Sequence, residues 1–283
     1  MTPLRQKMIN EMEVRGFAPR TIQSYLSAVK NYSNYYQLSP DKLTKQHIQD
    51  YFLHLVKDRH ASPASCHLYL NGIRFLYVQV LLWPELDLKL NIPKRPQKIP
   101  ELLTTQEVAS LINTRKQIKH RQILSLCYGC GLRVSEIVAI KIRHIDGEKK
   151  LLRVEQGKGN KDRYIPLSST LLHQLRIYWQ QVRPKHWLFE RMHGTKPLSV
   201  STIQKVYQQA KHDVKIEKIG GIHSLRHAYA THQLSNGLPI HHLQRYLGHS
   251  DIKTTMRYVH WVPNYRDTGY QIDLIAQLES SDE

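Results

Sequence analysis

The stretch Asn91-Ile92-Pro93-Lys94-Arg95-Pro96-Gln97-Lys98-Ile99-Pro100 constrains this chain more than any other segment. Proline lacks a backbone N–H and fixes φ, so three prolines in ten residues prevent both a regular helix and a central strand. Such a segment divides the 283 residues into a first part, 1–90, and a second part, 101–283, each long enough to bury its own core. As a Pro-rich spacer at ~3.1 Å per residue it covers roughly 30 Å.

The first part has helical periodicity throughout. Pro19 opens a run that puts Ile22, Tyr25, Leu26, Val29 and Tyr36 on one stripe. A second run carries Ile48, Tyr51, Phe52 and Leu55. Ser62-Pro63 is an N-cap followed by proline at the first helical position, and the helix it starts presents Leu70, Ile73, Tyr77 and Val80. With a shorter helix near Leu4 and Met8, residues 1–90 are expected to form a small all-helical bundle.

The second part is mixed. Thr104-Thr105-Gln106-Glu107 has the form of a capping box, and helical patterns continue to about Ile140. Leu151–Val154 and Arg163–Leu167 then flank a Gly- and Lys-rich turn, which predicts a β-hairpin. Helices resume near Leu171, Ser201 and Ser224. The expected class is mainly α, with a small β element in residues 101–270 and a tail over 271–283.

Forty-one Lys and Arg stand against 23 Asp and Glu, a formal charge of +18. The excess is 4 in residues 1–90, 3 in 91–100 and 11 in 101–283. A chain so basic expects a polyanionic partner, and Lys94, Arg95 and Lys98 suit a tether lying against phosphates. No apolar run reaches the ~18–20 residues that span a bilayer, and the first ten residues lack an apolar signal core, so a cytoplasmic, nucleoid-associated protein is expected. Cys66, Cys127 and Cys130 are too few for a disulfide framework, and the lone Cys127/Cys130 pair has no second pair to complete a zinc site. They suit a buried role.

Six side chains stand out. Arg133 follows Gly131 at the start of an expected helix over 134–140, where the helix dipole adds to its field. A guanidinium binds two phosphate oxygens and never loses its charge. His223 and Arg226, three apart on a helix, share one face. Gly248 is placed as the stop of the helix beginning at Pro239, which holds His249 in a tight turn, and Tyr258 lies on the next short helix, capped by Ser250-Asp251. Lys158 sits in the hairpin turn between Gly157 and Gly159, where the backbone approaches a ligand closely, and Lys161 competes with it for the same role. Lys161 and Arg163 are also expected DNA contacts. His223 and His227 have the i, i+4 spacing of metal ligands, but the glutamate of an HExxH motif is missing. The acids near these segments, Glu136, Asp162 and Asp251, are too sparse for two-metal chemistry. No metal or cofactor is expected.

The segments GLRVSE, GKGNKDR, HSLRHAYATH and LGHSDIKTTMRY resemble, in order and spacing, the signature boxes of the tyrosine recombinase (phage integrase) family, its Xer-type and integron-type members most of all. The likeness is strong over 101–262 and looser over 1–90, which resembles the family's core-binding domain. It implies an active site of Arg133, Lys158, His223, Arg226 and His249 with Tyr258 as nucleophile, and strand cleavage through a 3′-phosphotyrosine link without metal or ATP. It also implies a C-shaped clamp on double-stranded DNA, a DNA-bound dimer or tetramer, accessory recombination proteins, and a C-terminal tail that packs on a neighbouring subunit, with folding back on its own domain the alternative for that tail. A type IB topoisomerase shares the chemistry, and a DNA-binding regulator without catalysis shares the fold. These remain the alternatives at this stage.

Overall fold

The computed structural model describes residues 2–83, 100–155, 162–191, 196–262 and 273–279. The chain separates into two compact units, Met1–Lys98 and Ile99–Glu283.

The first unit is helical: α1 (Pro3–Val14), α2 (Pro19–Tyr36), α3 (Lys45–Lys57) and α4 (Pro63–Phe75), which runs into a π-turn over Leu76–Val80. Proline stands in the first turn of α1, α2 and α4, where its missing N–H is no loss. Ser62 caps α4 by accepting from the Ser65 amide at 3.2 Å. The apolar stripes converge on one core of Met8, Met12, Tyr32, Ile48, Tyr51, Phe52, Ile73, Tyr77 and Val80. The π-turn was not foreseen in the sequence. It lets Tyr77 donate to the Pro40 carbonyl at 2.6 Å, which closes the bundle over the α2–α3 connection.

The second unit begins with α5 (Thr105–Asn113), α6 (Ile118–Gly129) and α7 (Val134–Ala139). Thr104 and Glu107 form the expected capping box, with bonds of 3.2 and 2.7 Å. A three-stranded antiparallel sheet follows, in the order β1 (Ile145–Asp146), β2 (Leu151–Val154), β3 (Arg163–Pro166). The hairpin pairs Leu152 with Ile165 and Val154 with Arg163, and strand β1 is added to what the sequence predicted. Then come α8 (Ser169–Val182), α9 (Val200–Asp213), α10 (His223–Ser235), α11 (Ile240–Leu247), α12 (Ile252–Val259) and α13 (Leu274–Glu279). Helix α10 is almost wholly buried along its length, with Leu225, Ala228, Tyr229, Ala230 and Leu234 in the core.

The tail differs from what the resemblance implies. Leu274, Ile275 and Leu278 of α13 are buried against α5, α6, α8 and α10 of their own unit. Ile275 fills the space beside Gly129, where a Cβ would come within 3.1 Å of it. A cluster of three large aliphatic side chains finds an apolar seat in its own domain, so the helix folds back rather than outward. Among the described residues, no helix is long and apolar enough to cross a membrane.

Candidate active site

Helix α7 begins where the chain leaves α6 through Gly131, whose φ of +58° is left-handed. An added Cβ there would stand 2.3 Å from the Tyr229 ring, so the position accepts only glycine. This turn sets Arg133 at the N-cap of α7. Glu136, three residues on, accepts from the Arg133 amide at 2.8 Å and thus caps the helix in the half of its dipole that favours an acid.

Glu136 does more than cap. Its carboxylate is buried, with Arg133 Nη1 at 2.8 Å, both Arg163 terminal nitrogens at 2.9 Å and Arg226 at 3.9 Å. Burial by itself would raise its pKa, but the hydrogen bonds and charge of Arg163, with those of Arg133, bring it down to about 2. Three guanidiniums against one carboxylate leave two positive charges at this point of the molecule.

Arg226, on α10, is 1% exposed. It donates to the Gly131 carbonyl at 2.7 Å and the Leu247 carbonyl at 2.6 Å, and its Nη2 lies 3.0 Å from His249 Nε2. Burial, then the neighbouring Arg133, lowers its pKa to about 10, so it stays charged at neutral pH. An arginine can only donate, so His249 Nε2 accepts, and its Nδ1–H is directed to Thr255 Oγ1 at 2.9 Å. His249 is therefore neutral, in one tautomer. Gly248, left-handed at φ +64°, ends α11 as expected and turns its carbonyl toward Arg133 Nη2 at 3.4 Å.

Tyr258, on α12, is 4% exposed, and its ring lies parallel to His249 with centroids 6.3 Å apart. Its hydroxyl is 3.0 Å from His227 Nδ1. Burial raises the phenol above its ordinary pKa, while the Arg226 and Arg133 charges pull the other way. The ring of His223, at the exposed N-terminus of α10, meets that of His227 edge-on at 4.8 Å. Partial desolvation, then Arg226 and Arg133, hold His223 below the usual histidine range.

Five of the six expected residues, Arg133, His223, Arg226, His249 and Tyr258, thus surround one point. Lys158 and Lys161, with Lys94, Arg95 and Lys98, lie outside the described residues. Arg163 requires a correction. Instead of offering its guanidinium to a ligand, it is buried, paired with Glu136 and donating to the Tyr246 carbonyl at 2.7 Å. On β3 it alternates inward with Ile165, a period-two signal that placed it on the core side from the start. Sequence reasoning also missed Glu136 as the shared counter-ion and Thr255 as the partner of His249. Among the described residues, no three His, Cys, Asp or Glu side chains converge in a way that could hold a metal ion.

The sequence profile of the phage integrase family matches residues 101–264, and that of its N-terminal SAM-like domain matches residues 4–85. The chain belongs to the phage integrase family. It is 38% identical to y4qK of Sinorhizobium fredii, a protein named as an integrase/recombinase, over 93% of this chain and 86% of the relative. It is 33% identical to the tyrosine recombinase XerD of Staphylococcus aureus, over 87% and 89% of the two chains. In fold it is similar to lambda integrase residues 75–356, solved as a dimer on a core site (TM-score 0.74, 17% identity, 90% of this chain and 93% of the other). It is also similar to the XerH site-specific recombinase (TM-score 0.68, 18% identity, 96% and 82%). This phage integrase family member is accordingly a site-specific recombinase of the tyrosine type.

Proposed function

We propose that this recombinase cuts and rejoins double-stranded DNA through Tyr258, with Arg133, Arg226 and His249 binding the scissile phosphate, His223 at its edge and Lys158 protonating the leaving 5′ oxygen. One observation carries the reading. The Tyr258 hydroxyl lies within reach of the Arg226 and Arg133 charges, with the His249 and His227 rings against it, and that cationic surround is what an incoming phosphate needs.

The scissile phosphodiester carries one negative charge and gains a second as the fifth oxygen adds. The excess of two positive charges in the Arg133–Arg163–Arg226–Glu136 cluster balances that developing charge, and the burial of Arg226 and Glu136 keeps water from screening it. Arg226 is held by two backbone carbonyls before substrate arrives, so its orientation need not be acquired during the reaction. To bind a phosphate oxygen, His249 Nε2 must carry the hydrogen, so substrate calls for the other tautomer, with Nδ1 accepting from the Thr255 hydroxyl, or for a protonated ring. Attack forms the 3′-phosphotyrosine and frees a 5′ hydroxyl. The bond energy is kept in the ester, so a partner strand's hydroxyl reverses the step without ATP, and two such rounds pass through a Holliday junction.

The remaining assignments follow from charge and family. Residues 4–85 form the core-binding domain, Lys94, Arg95, Lys98 and Lys161 touch DNA phosphates, and recombination runs in a tetramer built from two dimers on DNA at the nucleoid. Integration of a mobile element and resolution of chromosomes are both within this chemistry. With α13 folded on its own unit, subunit coupling needs either another surface or release of that helix.

Covalent trapping tests the reading. Nicked duplexes recovered from a randomised pool by covalent capture should give a denaturant-stable adduct with the unaltered protein, in the presence of EDTA, and none with Tyr258→Phe. An adduct retained by Tyr258→Phe moves the nucleophile elsewhere, with Tyr246 and Tyr265 the flanking tyrosines of the sequence to replace next.

A further inference from the structure

The reading above leaves the phenolic proton of Tyr258 without a destination. It must leave as the oxygen attacks, because a neutral phenol is a weak nucleophile. His249 has both ring nitrogens engaged, by Arg226 and Thr255. Arg226 has no lone pair to offer. His223 lies one ring further away, against His227. The hydrogen bond to the hydroxyl comes from His227, at 3.0 Å.

We propose that His227 is the base that accepts the Tyr258 proton, with His223 the neighbour through which it exchanges with solvent. The inference rests on Tyr258 being the nucleophile. In the step, the Tyr258 O–H bond breaks and its proton goes to His227 Nδ1. The freed oxygen pair forms the bond to phosphorus, the bond from phosphorus to the 5′ oxygen breaks, and that oxygen takes a proton from Lys158. His227 is left as imidazolium and returns the proton to the phenolic oxygen when the strand is resealed.

The geometry is fixed from several sides. Trp261 meets the His227 ring at 5.7 Å and the Tyr258 ring at 5.1 Å, both edge-on, so neither can rotate freely. The Arg226 and Arg133 charges favour loss of the phenolic proton, and with His227 Nδ1 unprotonated the phenol's hydrogen is directed at it. Burial, then His223 and Arg226, depress His227 to about 4, so it is neutral and able to accept in the resting protein. The groups facing it are His223 and Arg226 on its own helix, and Tyr258 and Trp261 from the α12 side. A phosphate arriving beside Arg226 adds negative charge to this set and moves His227 back toward the ordinary range, so its basicity rises when substrate is present.

The test uses the full chain and the captured nicked duplexes, in oxygen form and with a bridging 5′-sulfur, which leaves without an acid. General-base loss costs about 10²–10⁴-fold. His227→Phe keeps the aromatic packing and should slow adduct formation by about 100-fold or more at pH 7 with both leaving groups. Its rate should climb steadily to pH 10, whereas that of the unaltered protein levels off. His227→Asn can hold the hydroxyl but cannot take its proton, so it should be equally slow, and it serves if the Phe variant fails to fold. Adduct formation within about threefold of the parent in either variant, or a defect that the sulfur leaving group abolishes, overturns the proposal. An adduct in Tyr258→Phe would instead defeat the reading beneath it.

Discussion

Glu136 is where stability and activity meet, and replacing it with glutamine isolates its charge. The variant keeps the shape and one acceptor oxygen, but turns an amide N–H₂ toward guanidinium donors at 2.8–2.9 Å and leaves two buried arginines, Arg163 and Arg226, and the half-buried Arg133 without their counter-charge. Breaking a buried ion pair by removing one partner costs about 3–5 kcal/mol. The carboxyl's displacement from 4.5 to about 2 gives roughly 3 kcal/mol by linkage, an independent route to the same size. The sign follows from the proton balance. Between pH 4.5 and 2 the unfolded chain binds the proton that the folded one refuses, so this contribution is complete above about pH 4.5 and is lost as pH falls toward 2. For a unit of this size, with a urea slope near ~3 kcal/mol per molar, Glu136→Gln should lower the unfolding midpoint of the second unit by about 1–1.5 M at pH 7. Cleavage should fall with it, because Arg133 loses the group that fixes its side chain, while DNA binding persists at low salt. A midpoint shift below about 0.3 M, at unchanged slope, would refute the claim that one carboxylate holds the arginines in place.

Arg226→Ala should retain DNA in a mobility-shift assay and lose about 10²–10³-fold in adduct formation, since one preorganised donor to a developing oxyanion is removed while most phosphate contacts remain. Gly131→Ala should destabilise the second unit by about 2–4 kcal/mol in denaturant titration, because it combines a left-handed backbone with a Cβ 2.3 Å from Tyr229. Stability should decline as pH falls from 6.5 toward 4, since His227 and His232 are held neutral by burial and the unfolded chain takes up protons first. His227 alone accounts for roughly 3 kcal/mol of that fall, and His227→Phe should flatten it in urea midpoints taken at half-unit pH steps. Ile275→Ala should cost about 2–4 kcal/mol of second-unit stability, as the deletion of a buried aliphatic side chain does. A change below about 0.5 kcal/mol would mean that α13 leaves its seat in solution.

Periodicity and capping made most of the elements legible, because they are written in neighbouring residues. Ser62-Pro63, Thr104 with Glu107, and Gly248 each mark a helix end through bonds that span three or four positions. The hairpin was legible for the same reason. Strand β1 was not, since two residues carry no period and their pairing with Leu151 and Leu152 is settled by the sheet. Arg163 was misread because a basic residue beside a Lys-rich turn suggests solvent, and its carboxylate partner lies 27 positions away on another element. Thr255 carried no signal of its own, since its bond to His249 depends on how α12 returns beside the turn after α11. The direction of the tail was not legible, since its short apolar run suits a neighbour's surface or its own domain equally, and the seat it finds on α6 and α8 is made by distant residues.

The site's long-range bonds explain why its sequence boxes belong together. The carbonyl of Gly131, in the first box, holds Arg226 in the third, and the carbonyl of Gly248, in the last, faces Arg133 in the first. Both carbonyls are available because both glycines are left-handed, which ends a helix and turns a peptide out of its hydrogen-bonded ladder. Each arginine is therefore oriented by backbone supplied 95 or 115 residues away. A side chain at either glycine would disturb an arginine that it does not touch. The glycines and the arginines form one unit of orientation, and the cost of a left-handed turn is offset by a cation whose direction is fixed before any phosphate arrives.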